Sequence, residues 1–443
     1  MDIIGAIGYS GQDFVMLEQD TFGYITGRSI CIVSIATGPK EMIWRTETGI
    51  SRIASHHLTH RLAIVPELAK YDVEVIDLLG VDSVIMLRNP SSAKIVDVDF
   101  SRDGEHIFAI SSSLNPKVFA WNLKSRQIIF TADLPINFTK VAVCPADWKK
   151  FALSGDEGLY LGSIIEIMGV STIKYEKIIL DSAVSVYNDK HLIRSGNGTA
   201  PSASPTSITF VVWAPFNRLF IGTKGGVIGE VDSLDLNLRI RAMIPTIEAT
   251  DESRSNKVRC IPLCATISTS NLLVGTSSGS VLWFPIIDMD SSYSHVEEGI
   301  LCQPSQNAQF EGAVCCLQTD FMYVTVLAGT SSASLMKFPL DIAEIKVDDG
   351  DDDVADIADS EPLGNLPGDI NQTINASRIS ILQPGAVLCC ESISLPVLST
   401  SDASLKTSVL YCPIFVTGSH SGVLTFWKQP SVDSEPLKKV IML

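Results

Sequence analysis

Short apolar runs alternate along this chain with clusters of Gly, Ser, Thr, Asp and Asn, and one phrase recurs. A small polar turn leads into an apolar strand that ends near an aromatic residue. It reads SGDEGLYLG from Ser154, IGTKGGVIGEV from Ile221, VGTSSGSVLWF from Val274, AGTSSASLMKF from Ala328 and TGSHSGVLTFW from Thr417, with a looser copy, ISSSLNPKVFAWN, from Ile110. Each unit is a small sheet too thin to bury its own faces, so several must stack. The stretch 94–130 shows the unit most clearly. KIVDVDF is a strand buried on both faces, SRDG a turn, EHIFAI the second strand, KVFAWNL the third and RQIIF the fourth. No segment shows a 3.6-residue apolar period of helical length, which leaves an all-β chain.

Unit starts fall near Phe14, Ile50, Ile95, Phe138, Ile208, Val258, Ala313 and Gly385. Most intervals match the roughly 40–50 residues of a four-stranded propeller blade. The two long intervals contain a flexible-loop composition from Ser195, SGNGTAPSASPTS, and an acidic run with prolines and glycines behind it. An open stack would expose strand edges, whereas a ring hides them. The expected fold is a β-propeller of four-stranded blades, seven or eight in number. Residues 1–343 form about seven blades, 344–384 an acidic linker, and 385–443 a further unit. That unit either closes an eight-bladed ring or opens a second propeller.

Charge sharpens the picture. The formal net charge is −17, and ten acids against one base between Asp341 and Glu361 supply −9 of it. So acidic a surface repels phosphate backbones and anionic lipid, which argues against nucleic-acid and membrane partners. No run approaches the ~20 apolar residues that span a bilayer. The start, MDIIGAIGYS, lacks the basic segment of a signal peptide. The ten cysteines fall mainly within apolar strands and read as reduced, buried small hydrophobes. Cys260 and Cys264 are expected to face the same way on one strand.

Catalytic motifs do not hold up. GTSSG (275–279) matches the G-x-S-x-G spacing, but no helix follows and sister phrases occupy the same slot in other units. GTKGG (222–226) lacks phosphate-loop spacing. HHLTH places His56, His57 and His60 together, which reads as a polar loop more than a metal site. The acidic run, with Asp348, Asp349, Asp351, Asp352 and Asp353, fails the calcium-loop pattern and reads as a solvated segment able to meet a basic partner. Trp148, in CPADWKK, is expected at a rim turn. The sequence thus implies no cofactor and no catalytic residues. Its candidate contacts are Trp148, His56, His57, His60 and the five aspartates.

The units resemble degenerate WD repeats. They lack the Gly-His pair, and Trp121-Asn122 and Trp427-Lys428 stand where Trp-Asp is expected. Three consecutive stretches, 108–130, 141–166 and 210–238, are similar to blades of the cilia- and flagella-associated WD-repeat proteins, of the forty-three and forty-four type. The likeness lies in the order of apolar and turn residues, Pro-x-x-Trp at 145–148 and Trp-x-Pro at 213–215. It implies a non-enzymatic scaffold of the ciliary or flagellar axoneme, within the cytoplasm and cytoskeleton. Such a scaffold helps tether inner-arm dynein to doublet microtubules beside a sister WD-repeat protein. The family's long coiled-coil tail is absent from this sequence. A cytosolic adaptor for trafficking or ribosome assembly is the first alternative, and a propeller hydrolase the second.

Overall fold

The computed structural model describes residues 13–180 and 207–339, apart from short breaks at turns and a longer one at 287–301, together with strands between 377 and 442. The Ser195 loop lies almost wholly outside the described residues. Strands pair in antiparallel order into four-stranded sheets, each built from consecutive segments. The first strands of seven sheets are Phe14–Glu18, Ile50–His56, Lys94–Phe100, Lys140–Val143, Ile208–Ala214, Pro262–Ile267 and Val314–Thr319. Each of these strands meets the next, and the seventh meets the first. They therefore form the inner ring of a seven-bladed propeller.

The core is divided among the seams. Seven apolar clusters exist among the described residues, and each joins one blade to the next. Phe108, Phe130 and Phe151 meet between blades three and four; Phe220, Leu272 and Phe284 meet between five and six. The last cluster packs Phe14, Phe22 and Tyr24 of blade one on Cys316, Leu327 and Leu335 of blade seven. Both faces of every blade are thus buried. The strands accordingly read as nearly continuous apolar runs, in place of a simple in-out alternation.

The inner strands have a backbone edge turned away from their own sheet, whose polar groups need partners. Side chains from neighbouring blades supply them. Asp97 accepts the Val141 N–H at 2.9 Å, and Asp99 accepts the Val143 N–H at 2.7 Å. Ser55 donates to the Met16 carbonyl at 2.7 Å, Arg52 Nε to that of Val96 at 3.3 Å, and Trp213 Nε1 to that of Ala142 at 3.0 Å. Between blades six and seven, Cys264 donates to the Val314 carbonyl at 3.4 Å. These bonds tie neighbouring inner strands to one another.

Three expectations change. The fourth strand of blade seven is Ser377–Arg378, which pairs with Met336 and Lys337. The acidic run is therefore a connection within blade seven, and the propeller extends past residue 343. Next, Val258 does not open a blade. It belongs to an extra hairpin, Thr246–Asp251 with Arg254–Arg259, and blade six starts at Pro262. Finally, Cys260 and Cys264 face different ways. A register shift between Pro262 and Cys264 leaves Cys260 in the core between blades five and six and Cys264 against the core between six and seven. Residues 387–442 form an eighth four-stranded sheet. It is not part of the inner ring, because blade seven meets blade one directly.

Candidate functional site

Antiparallel pairing sends the connections between first and second strands, and between third and fourth, out at one end of each blade. We call that end the front face. HHLTH joins the first two strands of blade two, and Trp148 lies between the first two of blade four. The acidic run joins the last two strands of blade seven. By chain order, HHLTH and Trp148 belong to the front. Asp348, Asp349, Asp351, Asp352 and Asp353 themselves lie outside the described residues.

The front-face turns are linked from blade to blade. His60 Nδ1 of blade two stands 3.9 Å from Glu18 of blade one. His56, nearly buried, lies 2.8 Å from the Arg102 carbonyl through Nε2 and 2.8 Å from Thr59 Oγ1 through Nδ1. A carbonyl only accepts, so Nε2 carries the proton and the Thr59 hydroxyl donates to Nδ1. Both ring nitrogens are thereby used, and His56 is not free to bind a metal. His57 starts the 3₁₀ turn His57–Thr59. Burial chiefly lowers its pKa, and Arg102, with His56 and His60 when these are protonated, opposes a further charge there.

Arg61 continues the link by donating to the Gly104 carbonyl at 3.0 Å. Gly104 has a φ of 66°, and a Cβ there would stand 2.6 Å from His56 Nδ1, so only glycine suits this turn. His106 then stacks on Trp148, with ring centroids 4.0 Å apart and planes 15° apart. Trp148 also meets Phe108 edge-on and packs on the core between blades three and four. It is a half-buried cap in place of a freely exposed anchor. Cys144 Sγ carries the chain of contacts to Asn217 of blade five at 3.3 Å.

The channel carries a second polar constellation. Arg52 pairs with Asp13 at 3.1 Å and stands 4.0 Å from Asp97; Lys140 stands 4.0 Å from Asp13 and 3.9 Å from Asp97. Blades one to four contribute one charge each, and Lys140 reaches from the fourth back to the first. Asp97 chiefly, and Asp13, raise the pKa of Lys140. Asp97 is itself raised, because its burial outweighs the attraction of Lys140. The desolvation cost falls on the more buried carboxylate, and the network links four blades without excess charge. Burial pushes Asp99 up to about 7. Asp97 and Asp99 thus serve to bond the neighbouring inner strand.

GTSSG forms the tight turn between the second and third strands of blade six. Ser277 Oγ accepts the Ile261 N–H at 2.9 Å. Gly279, at φ 86°, has no room for a Cβ beside the Phe310 carbonyl. This is strand-to-strand architecture with no helix behind the serine. Sequence reasoning missed the front-face cations Arg102 and Arg126 and the apolar ribbon at Ile165–Met168. Only the unequal length of the blade-four strands could have pointed to the ribbon.

No protein-family model matches the chain, and no curated protein matches it. Among solved structures it is similar to the β-propeller domain of Myceliophteria thermophila Cps50 (Swd1). That likeness has 15% identity, covers 66% of this chain and 83% of the other, and has a TM-score of 0.46. The propeller assignment stands on the strand pairing and the seven seams.

Proposed function

We propose that this chain is a non-enzymatic scaffold that binds protein partners through the front face of its propeller. The observation that carries the reading is the run of turn-to-turn contacts from Glu18 through His60, His56, Arg102, His106 and Trp148 to Asn217. Turns held to one another and to a packed ring present side chains in fixed geometry. Preorganisation of that kind lowers the entropic cost of binding.

We further propose a place in the cytoskeleton of the cilium or flagellum. There the chain helps tether inner-arm dynein to doublet microtubules beside a sister WD-repeat protein. Support comes from the blade-by-blade resemblance of 108–130, 141–166 and 210–238 to the cilia- and flagella-associated WD-repeat proteins. The sheet at 387–442 is then the opening of a second propeller. Tagging the endogenous protein and fractionating salt-washed, detergent-extracted axonemes tests this placement. Retention at a regular axial repeat is expected. Release into the soluble fraction without ciliary enrichment sinks the axonemal reading and leaves a cytosolic adaptor.

A further inference from the structure

The front face of blades two to four has a composition unlike the rest of this acidic chain. Leu58 and Leu79 of blade two are 65% and 67% exposed there. The Leu78 N–H donates to the His60 carbonyl at 2.8 Å, which sets the two leucine-bearing turns side by side. On blade four, strands Gly158–Ile167 and Val170–Ile178 continue beyond the second strand, whose pairing stops at Lys150 and Ser163. The exposed residues of this ribbon include Ile165, Ile167 and Met168. Met168 holds a left-handed φ of 51° at the turn, where glycine or asparagine costs less.

Blade three lies between these apolar walls, and cations project from it and its neighbour. Arg102, Arg126 and Lys149 are exposed, and none has an ion-pair partner among the described residues. Lys149 Nζ stands 6.0 Å from the Trp148 ring centroid. The nearby carboxylates are drawn into the turns. Asp103 accepts from Ser101 and from the Glu105 N–H, Glu105 pairs with Lys124, Asp147 accepts the Lys149 N–H, and Asp77 accepts the Leu79 N–H. Glu166, on the ribbon, has no such bond among the described residues. Unpaired cations flanked by exposed leucine, isoleucine and methionine ask for an anionic partner with apolar side chains. A bare phosphate backbone would leave the apolar walls unmet.

We propose that the front face of blades two to four docks an acidic segment of a protein partner, one that carries bulky apolar side chains among its carboxylates. The proposal rests on the scaffold reading above and specifies its partner chemistry. The test uses the full chain and a fluorescein-labelled peptide of alternating Glu-Asp and Leu-Phe pairs, followed by anisotropy at two salt concentrations. Arg102→Glu, Arg126→Glu and Lys149→Glu together should weaken binding at least about tenfold, and added salt should weaken the unmodified chain. Leu58→Ser with Leu79→Ser should weaken it severalfold at an unchanged melting temperature.

No binding by the unmodified chain overturns the proposal, as does affinity indifferent to the charge reversals. Loss on charge reversal with the leucine pair silent and an all-Glu peptide bound equally well also overturns it, in favour of a bare polyanion. Binding only after Asp348, Asp349, Asp351, Asp352 and Asp353 become Asn overturns an outside partner and places the chain's own acidic run on this surface. Axoneme retention is read separately in cells. A retained chain that ignores the peptide sinks this surface alone, and a peptide-binding chain absent from cilia sinks the axonemal placement alone.

Discussion

The Cys316 thiol donates a hydrogen bond to the Phe14 carbonyl at 3.7 Å, across 302 residues of chain. This contact lies at the seam where the propeller closes. Burial pushes the Cys316 thiol up to about 12, so it stays protonated and able to donate at neutral pH. Blade one takes all its strands from Phe14–Arg45, and blade seven takes its own from Val314–Thr319 onward, ending with Ser377–Arg378. Among the described residues no strand is exchanged across the seam, so side-chain contacts hold the ring shut there.

Phe14→Ala should therefore do more than lower stability by the ~3–5 kcal/mol of a buried aromatic truncation. Amide exchange should accelerate first in Phe14–Glu18 and Val314–Thr319. Truncating Phe220, whose seam joins blades that are continuous in sequence, should not open the ring at that place. Equal protection of the closing seam in both variants would show that it is no weaker than the others.

Asp99 gives the fold a pH dependence. Its folded pKa of about 7 lies above the ordinary 3.8, mainly because of burial. A raised acid favours the folded state when protonated. The stabilisation is complete below about pH 4 and is lost as pH rises toward and through 7. Asp99→Asn keeps an acceptor for the Val143 N–H and has no charge to bury. Its melting temperature should vary less between pH 5 and 8 and exceed that of the unmodified chain at the upper end. A variant that melts lower at pH 8 would mean that the ionised carboxylate is the better partner.

Glu230 has the opposite sign. Burial alone would raise its pKa, but Arg218 and Arg241 outweigh burial and hold it low. Arg218 Nε and Arg241 Nε each donate to one of its carboxylate oxygens at 2.6 Å. The resulting stability is present above the ordinary carboxylate range, near 4.5, and is lost as pH falls through the lowered folded value. Glu230→Gln leaves buried arginine charge uncompensated and should cost about 3–5 kcal/mol at pH 7. That deficit should shrink on acidification, which denaturant titration at pH 7 and pH 4 would read.

The propeller was legible because its cause is local. Every polar turn between apolar strands leaves a mark in the sequence, and starts at Phe14, Ile50 and Ile208 coincide with inner strands. Blade number was not legible, since the fourth strand of blade seven is two residues long and lies beyond the acidic run. The extra hairpin from Thr246 was missed for a related reason: its alternation imitates a blade's first strand. Front-face placement of HHLTH and Trp148 follows from strand order. Their bonds to Arg102 and His106 do not, because partners on adjacent blades are set by the ring.

Trp148 offers a last division between packing and recognition. It stacks on His106 and caps the core between blades three and four, so Trp148→Ala should cost about 3–5 kcal/mol, as for other large aromatic truncations. Trp148→Phe keeps a ring over His106 and should recover most of that loss. Lys149 stands over the indole, so the phenyl ring should also recover the position of this cation. Thermal melts of the two variants, run beside peptide anisotropy, separate the roles. If Trp148→Phe restores stability but not peptide affinity, the indole itself touches the partner; if both return together, Trp148 acts by holding the turn in place.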